Sequence, residues 1–122
     1  MRDREHLEAV SFVHWWNLFA ERFGVSNRLL WAIPNGGHRH PFVAAKMKAE
    51  GVQRGACDYV LFVPRQGYHG LAIELKVAKT GRVSPDQKSM IELLKEQGYV
   101  ANVCFGWDEA RLVVEGYLGA AR

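Results

Sequence analysis

Two short aliphatic runs, DYVLFV at 58–63 and GLAIELKV at 70–77, stand on either side of PRQGYH, a connector that contains Pro64 and Gly67. Runs of this length bounded by turn residues read as strands, and so short a connector makes an antiparallel hairpin the simplest way to pair them. A hairpin this apolar has to be covered by other elements. At 122 residues there is room for one domain in which to do so.

Around the hairpin the periodicity changes. From Arg4 to Phe23 the residues Ala9, Phe12, Trp16, Phe19 and Phe23 recur at steps of three or four, which predicts an amphipathic helix ended by Gly24. LLWAI at 29–33 reads as a short buried strand, PNGG at 34–37 as a turn, and 41–50 as a second helix stopped by Gly51. Ser84 opens a helix to about Gln97, with Pro85 at its first position and Gln87 three residues after the cap, a capping-box pattern. YVANVCF at 99–105 is a further strand, and Asp108 is placed to cap a last helix to about Leu118. The order α-β-α-β-β-α-β-α predicts an α/β fold: a mixed central sheet with helices packed on it.

Composition excludes several classes. With 48% hydrophobic and 24% charged residues, and no repeat or low-complexity tract, the chain is not of the disordered type. No run approaches the roughly 20 apolar residues of a membrane span, and Met1 to Glu8 is charged rather than signal-like, so a cytoplasmic protein without a membrane partner is expected. Cys57 and Cys104 have no C-x-x-C spacing and read as buried thiols rather than a zinc or dithiol site. A net charge of +3 is compatible with a polyanionic partner without requiring one.

The charged residues inside the hairpin are harder to place. Residues two apart on a strand share a face, so Glu74 and Lys76 point together and away from Ile73, Leu75 and Val77. The plain reading is a half-buried strand with a charged outer face. With nine Glu and six Lys, an E-x-K triplet arises by chance roughly 0.4 times in such a chain, so alone it is a weak signal. Context strengthens it, because the hairpin would bring Asp58 beside Glu74. Two carboxylates that close repel unless a cation sits between them, and an all-oxygen site suits Mg²⁺ or Mn²⁺, with Lys76 at hand for a phosphate or a water. On the first helix Glu5 falls at the centre of the apolar stripe and Glu8 near its edge. Both also lie in the first turn, where acidic groups favour the helix dipole and can stay solvated. Gln87 is explained by the capping box alone.

Taken in order, Glu5/Glu8, AIPNGGHRH, GVQRGACDYVLFV, GYHGLAIELKV and SPDQK resemble the VRR-NUC family, a branch of the PD-(D/E)XK nuclease superfamily, from about Glu5 to Leu118. The resemblance implies a restriction-endonuclease-like fold in which Asp58 is the superfamily's Asp, Glu74-x-Lys76 its E-x-K, Gln87 the Gln of the following helix and Glu8 the acidic residue of the first helix, with Glu5 as its competitor. Cys57 stands where the superfamily's name has Pro. The implied chemistry is phosphodiester hydrolysis with Mg²⁺ or Mn²⁺ held by Asp58, Glu74, the Leu75 carbonyl and Glu8, Lys76 serving the attacking water and the phosphate, and no nucleotide cofactor.

NGGHRH, with His38, Arg39 and His40, offers backbone amides and basic groups to a phosphate, or is a plain solvated turn. No Cys/His cluster accompanies the two histidines, which argues against zinc. Lys46, Lys48, Arg54, Lys79 and Arg82 are further candidates for contacts to DNA that set affinity without reading sequence. Without an attached recognition module a homodimer is the simplest way to gain two active sites. Stand-alone relatives of this kind resemble Holliday-junction resolvases, so branched or double-stranded DNA is the expected partner, with flap or nicking activity and a silent DNA-binding protein as alternatives. Trp15, toward the margin of the first helix, is a candidate dimer contact, an enlarged internal core being the other reading.

Overall fold

A computed structural model describes residues 2–34, 40–77 and 81–119. The helices are α1 (Arg2–Phe19), α2 (Pro41–Ala49), α3 (Pro85–Glu96) and α4 (Trp107–Leu118), and the strands are β1 (Leu30–Ala32), β2 (Tyr59–Leu61), β3 (Leu71–Lys76) and β4 (Val100–Phe105). The expected element order holds throughout. The first helix ends earlier than its periodicity predicts: Ala20–Phe23 tightens into a 3-10 turn, and Gly24 at φ 72° closes it by donating its N–H to Ala20 and Glu21. The apolar spacing continues across that turn because Ala20 and Phe23 are still buried.

The sheet order is β1-β2-β3-β4. β2 and β3 form the predicted antiparallel hairpin, with Tyr59 opposite Ile73 and Leu61 opposite Leu71, and β1 adds antiparallel to β2. β4 runs parallel to β3, with Glu74 opposite Val103, and α3 makes the crossover that a parallel pair requires.

Register decides which side chains share a face. Leu61, Leu71, Ile73 and Cys104 meet Phe12 and Trp16 of α1 and Ala110, Val114 and Tyr117 of α4 in the main core. On the opposite face Cys57, Ala72 and Ala101, with Val60 and Val103 beside them, receive Ile91 and Leu94 of α3. The small side chains of Ala72 and Ala101 let α3 sit close to the sheet. The plain reading of a charged outer face on β3 does not hold: that face lies under α3, and Glu74 is 4% exposed.

Two further expectations change. Trp15 is buried, with its ring against Phe12, Phe19 and Phe23, so it enlarges the internal core and is not available to a dimer partner. Asp108 does not cap α4. The cap position is Gly106, which has no capping side chain, and Asp108 instead pairs with Arg111 at 2.8 Å within the first turn. Cys57 and Cys104 are both buried thiols, as expected. No helix among the described residues is long and apolar enough to cross a membrane.

α4 is fastened at its far end by side chains that satisfy main-chain carbonyls. The Tyr117 hydroxyl donates to the Val63 carbonyl at 2.6 Å in a buried position, and Gln66 Nε2 donates to the carbonyls of Gly116 and Tyr117. Removing the hydroxyl strands a buried acceptor. Tyr117→Phe is expected to cost about 1–3 kcal/mol, read as a lower urea midpoint with an unchanged slope.

Candidate active site

An open cleft at one end of the sheet is lined by Glu5, His6 and Ala9 of α1, by Ala32, Ile33 and Pro34, by Asp58 and Tyr59, by Glu74 to Val77, and by Gln87. Hairpin register explains the central pair. Tyr59 lies opposite Ile73, so Asp58, one residue earlier, falls opposite Glu74 and on its face. Asp58 is also fixed through its own side chain, because Oδ2 accepts the Leu75 N–H at 2.7 Å while its main-chain carbonyl accepts from Ile33.

Glu74 is held by one oxygen only. Its Oε2 accepts from Gln87 Nε2 at 2.6 Å and lies 3.3 Å from Lys76 Nζ. Its Oε1 is buried and has no hydrogen-bond partner among the described residues. Leaving such an oxygen unsatisfied costs about 1–3 kcal/mol, and more for a charged group. Burial, and then the Asp58 charge, push the Glu74 carboxyl up to about 7 against the opposing pull of Lys76. Burial raises Asp58 as well, with the Leu75 N–H and Lys76 working in the other direction. The neighbouring Cys57 thiol is pushed up to about 12 by burial and by the same two carboxylates. This is a patch of concentrated negative potential in a poorly solvated place.

Gln87 does two jobs with the two ends of its amide. Its Oε1 accepts from the Ser84 N–H at 3.0 Å, closing the capping box of α3, and also from Lys76 Nζ at 3.0 Å. Its Nε2 reaches Glu74. A cap and a site contact from one Gln are therefore compatible, because the carbonyl end serves the cap while the amino end faces the carboxylate. Two donors at one atom and an acceptor at the other fix the orientation of the amide.

Gly55 brings α3 into place. At φ 78° it occupies backbone space that L side chains rarely enter, and a Cβ there would collide with the main chain of Asp86 and lie 2.9 Å from Gln87 N. The loop before Asp58 thus rests directly on the first turn of α3. This one contact therefore sets the position of the helix cap, of Gln87 and of the loop that leads to Asp58. Gly55→Ala is expected to destabilise the fold by roughly 2 kcal/mol or more, since it combines left-handed strain with a backbone clash, and its thermal midpoint should fall well below that of Gly51→Ala, where a Cβ meets nothing within 4 Å.

Of the acidic pair on α1, the structure brings Glu5 into the cleft and not Glu8. Glu8 Oε2 accepts the Trp107 N–H at 3.1 Å at the start of α4, where it serves the helix end that Asp108 was expected to cap. Glu5 is the one that lines the cleft, whereas Glu8, the expected ligand, has one oxygen given to a helix end. The Glu8 carboxylate is engaged by an element 99 residues away, a contact that no helical wheel of α1 contains. Among the described residues no group of three or more His, Cys, Asp or Glu is close enough to hold a metal ion. The donor set at the centre is two carboxylates and the main chain around Leu75.

The basic candidates among the described residues do not line this cleft. His40 caps α2, its Nδ1 accepting the Phe42 N–H at 3.1 Å. Lys48 and Arg54 border a separate groove against Asp86 and Ser89 of α3, and Lys46 and Arg82 are exposed. His38, Arg39 and Lys79 lie outside the described residues. Sequence reasoning did not single out His6 or Gly55. His6 adjoins Glu5 and could have been found from the same wheel, whereas Gly55 has no signal beyond a glycine in QRGAC.

A family model described as the VRR-NUC domain matches residues 5–107. A solved structure titled "VRR_NUC domain protein" superposes with a TM-score of 0.81 at 30% identity, covering 95% of this chain and 90% of that one. The chain belongs to the VRR-NUC family. No curated protein matched. A VRR-NUC domain is a nuclease-type domain, and the mixed sheet flanked by helices is its fold.

Burial of Glu74 links the site to stability. In the unfolded chain this carboxyl ionises at 4.5, and in the folded chain at about 7. Between those values the folded chain holds a proton that the unfolded chain has lost, so the contribution is fully present below 4.5 and disappears as pH rises through about 7. Glu74→Gln is therefore expected to stabilise the protein in chelator at pH 8.5 by roughly 2 kcal/mol, with little difference at pH 5. Urea midpoints at the two pH values measure this, and a gap that does not widen with pH overturns the burial account.

Proposed function

We propose that the protein is a Mg²⁺- or Mn²⁺-dependent endodeoxyribonuclease that cuts branched DNA, acting on four-way junctions as a homodimer. The observation that carries this reading is the buried, partnerless Glu74 Oε1 beside Asp58 in an open cleft. Two adjacent carboxylates, both raised by burial and Glu74 also by the Asp58 charge, fit a hard divalent cation, which suits oxygen donors and keeps several waters of its own. Asp58, Glu74 and the Leu75 carbonyl would hold it, with Glu5 the acidic side chain nearest to hand on α1. When bound, such a cation polarises a phosphoryl oxygen and lowers the pKa of a coordinated water.

The chain's own residues account for the rest. Gln87 Oε1 and Glu74 Oε2 engage two of the three donors of Lys76 Nζ, leaving one for a phosphate oxygen or the attacking water. Lys76 is thereby oriented before substrate arrives, and the positive charge it carries into the cleft favours the extra negative charge of a pentacoordinate phosphate. Gln87 keeps Lys76 and Glu74 in register with each other. The exposed Leu7, Val10 and Leu18 of α1 give a symmetric partner apolar surface to pack on, now that Trp15 is withdrawn into the core.

The test is cleavage of a labelled four-way junction against linear duplex of the same sequence, with Mg²⁺, with Mn²⁺ and with chelator. Metal-dependent paired cuts in the junction are expected, reduced about 100-fold or more in Glu74→Ala and Lys76→Ala. Equal cutting of linear duplex removes the junction preference and leaves a nicking nuclease. No cutting of any DNA by the folded protein overturns the reading in favour of a silent binder. Sedimentation that shows monomer at every concentration removes the dimer.

A further inference from the structure

Trp31 is a large indole left in solvent on an otherwise economical sheet. It lies in the edge strand β1, is 58% exposed, and makes an edge-on contact with Phe62, itself 44% exposed, at 4.8 Å between ring centroids. Its Nε1 donates to the Arg28 carbonyl at 3.1 Å. The ring is thus pinned by a hydrogen bond at its polar edge and by a second aromatic, although it is not buried. A pinned, exposed aromatic plane is a preorganised surface for stacking.

Register shows where that plane stands. Trp31 is opposite Val60, and Val60 is opposite Ala72, so the three share one face of the sheet. Asp58 and Glu74 lie two residues along from Val60 and Ala72, on the same face. Two strand spacings across and two residues along place the Trp31 and Glu74 Cα atoms roughly 12 Å apart, a few nucleotide steps of a stacked strand. The chain passes without interruption from Trp31 into Ala32, Ile33 and Pro34, which line the cleft. The exposed Arg28 stands at the start of the same segment and adds a positive charge close to Trp31 in the chain.

We propose that Trp31, braced by Phe62, is a stacking platform for an unpaired base of the nucleic acid whose phosphate enters the cleft. This rests on the nuclease reading and deepens it: the preferred substrate is DNA with an unstacked base a few nucleotides from the cut. Paired bases keep their faces covered by their neighbours, so flush duplex gains nothing from the platform. A base at a branch, gap or frayed end has a face to offer, and stacking of this kind tolerates any sequence.

The test measures binding in chelator, where chemistry does not intervene, for two labelled DNAs: a flush duplex, and the same duplex with a short single-stranded gap. Trp31→Ala is expected to weaken binding to the gapped DNA roughly 5- to 100-fold and to leave the flush duplex within about twofold, with Trp31→Phe restoring most of the loss. Tryptophan fluorescence of the wild type should be quenched by gapped DNA, and this quenching should be lost in Trp31→Phe. Equal binding of both DNAs by wild type and Trp31→Ala overturns the platform. So does a shift from dimer to monomer in Trp31→Ala with DNA affinity unchanged, which would make this face a self-association surface. Mn²⁺-dependent cutting of the same DNAs separates the two proposals. Gap-selective binding through Trp31 without cutting sinks the nuclease reading alone, whereas cutting that ignores Trp31 sinks the platform alone.

Discussion

The Glu74 carboxylate is held where a carboxylate is hardest to hold, under a helix, opposite a second acid, with one oxygen left without a partner among the described residues. Every neighbouring element is arranged around that cost. Asp58 is fixed by the Leu75 N–H, Lys76 is steered by Gln87, and Gln87 is itself locked by the cap of α3. Ala72 and Ala101 on the same face are small because α3 has to approach closely enough for Gln87 to reach β3. A site built this way is destabilising in itself, and burial pushes its Glu74 carboxyl up to about 7. Binding a divalent cation would release that carboxyl's proton and relieve the repulsion between the two acids.

The two sides of the sheet divide the work. The face packed on α1 and α4 is a conventional apolar core, dense in aromatic rings and closed by the Tyr117 hydroxyl. The other face holds a small apolar patch under α3, then the carboxylates, and then the exposed Trp31 and Phe62 toward the β1 edge. Stability is concentrated on one side, so the other can carry charge and open surface. The short β1 and the glycine-spaced loop before Asp58 belong to this second side, and both set the position of the site more than they enlarge the core.

Much was legible in the sequence because local rules govern it. Period-two and period-3.6 patterns gave the order of elements, the Ser84 cap located the start of α3 to the residue, and the hairpin placed Asp58 opposite Glu74. These depend on residues close in sequence or joined by one short turn. The errors have separate causes. The start of α4 turns on a contact with Glu8 that is distant in the chain, whereas the end of α1 is set by a tight turn that apolar periodicity does not register.

The sequence by itself therefore determined the succession of helices and strands and the identity of the paired acid and lysine, since backbone propensity and strand periodicity act over a few residues. Tertiary structure alone decided that Glu8 serves the start of α4, that Glu5 faces the cleft, and that Gln87 spans cap and carboxylate. It also decided that Gly55 has to be a glycine. Those outcomes depend on where α1, α3 and α4 dock against the sheet, and docking is set by the summed packing of side chains that no single stretch of the sequence contains.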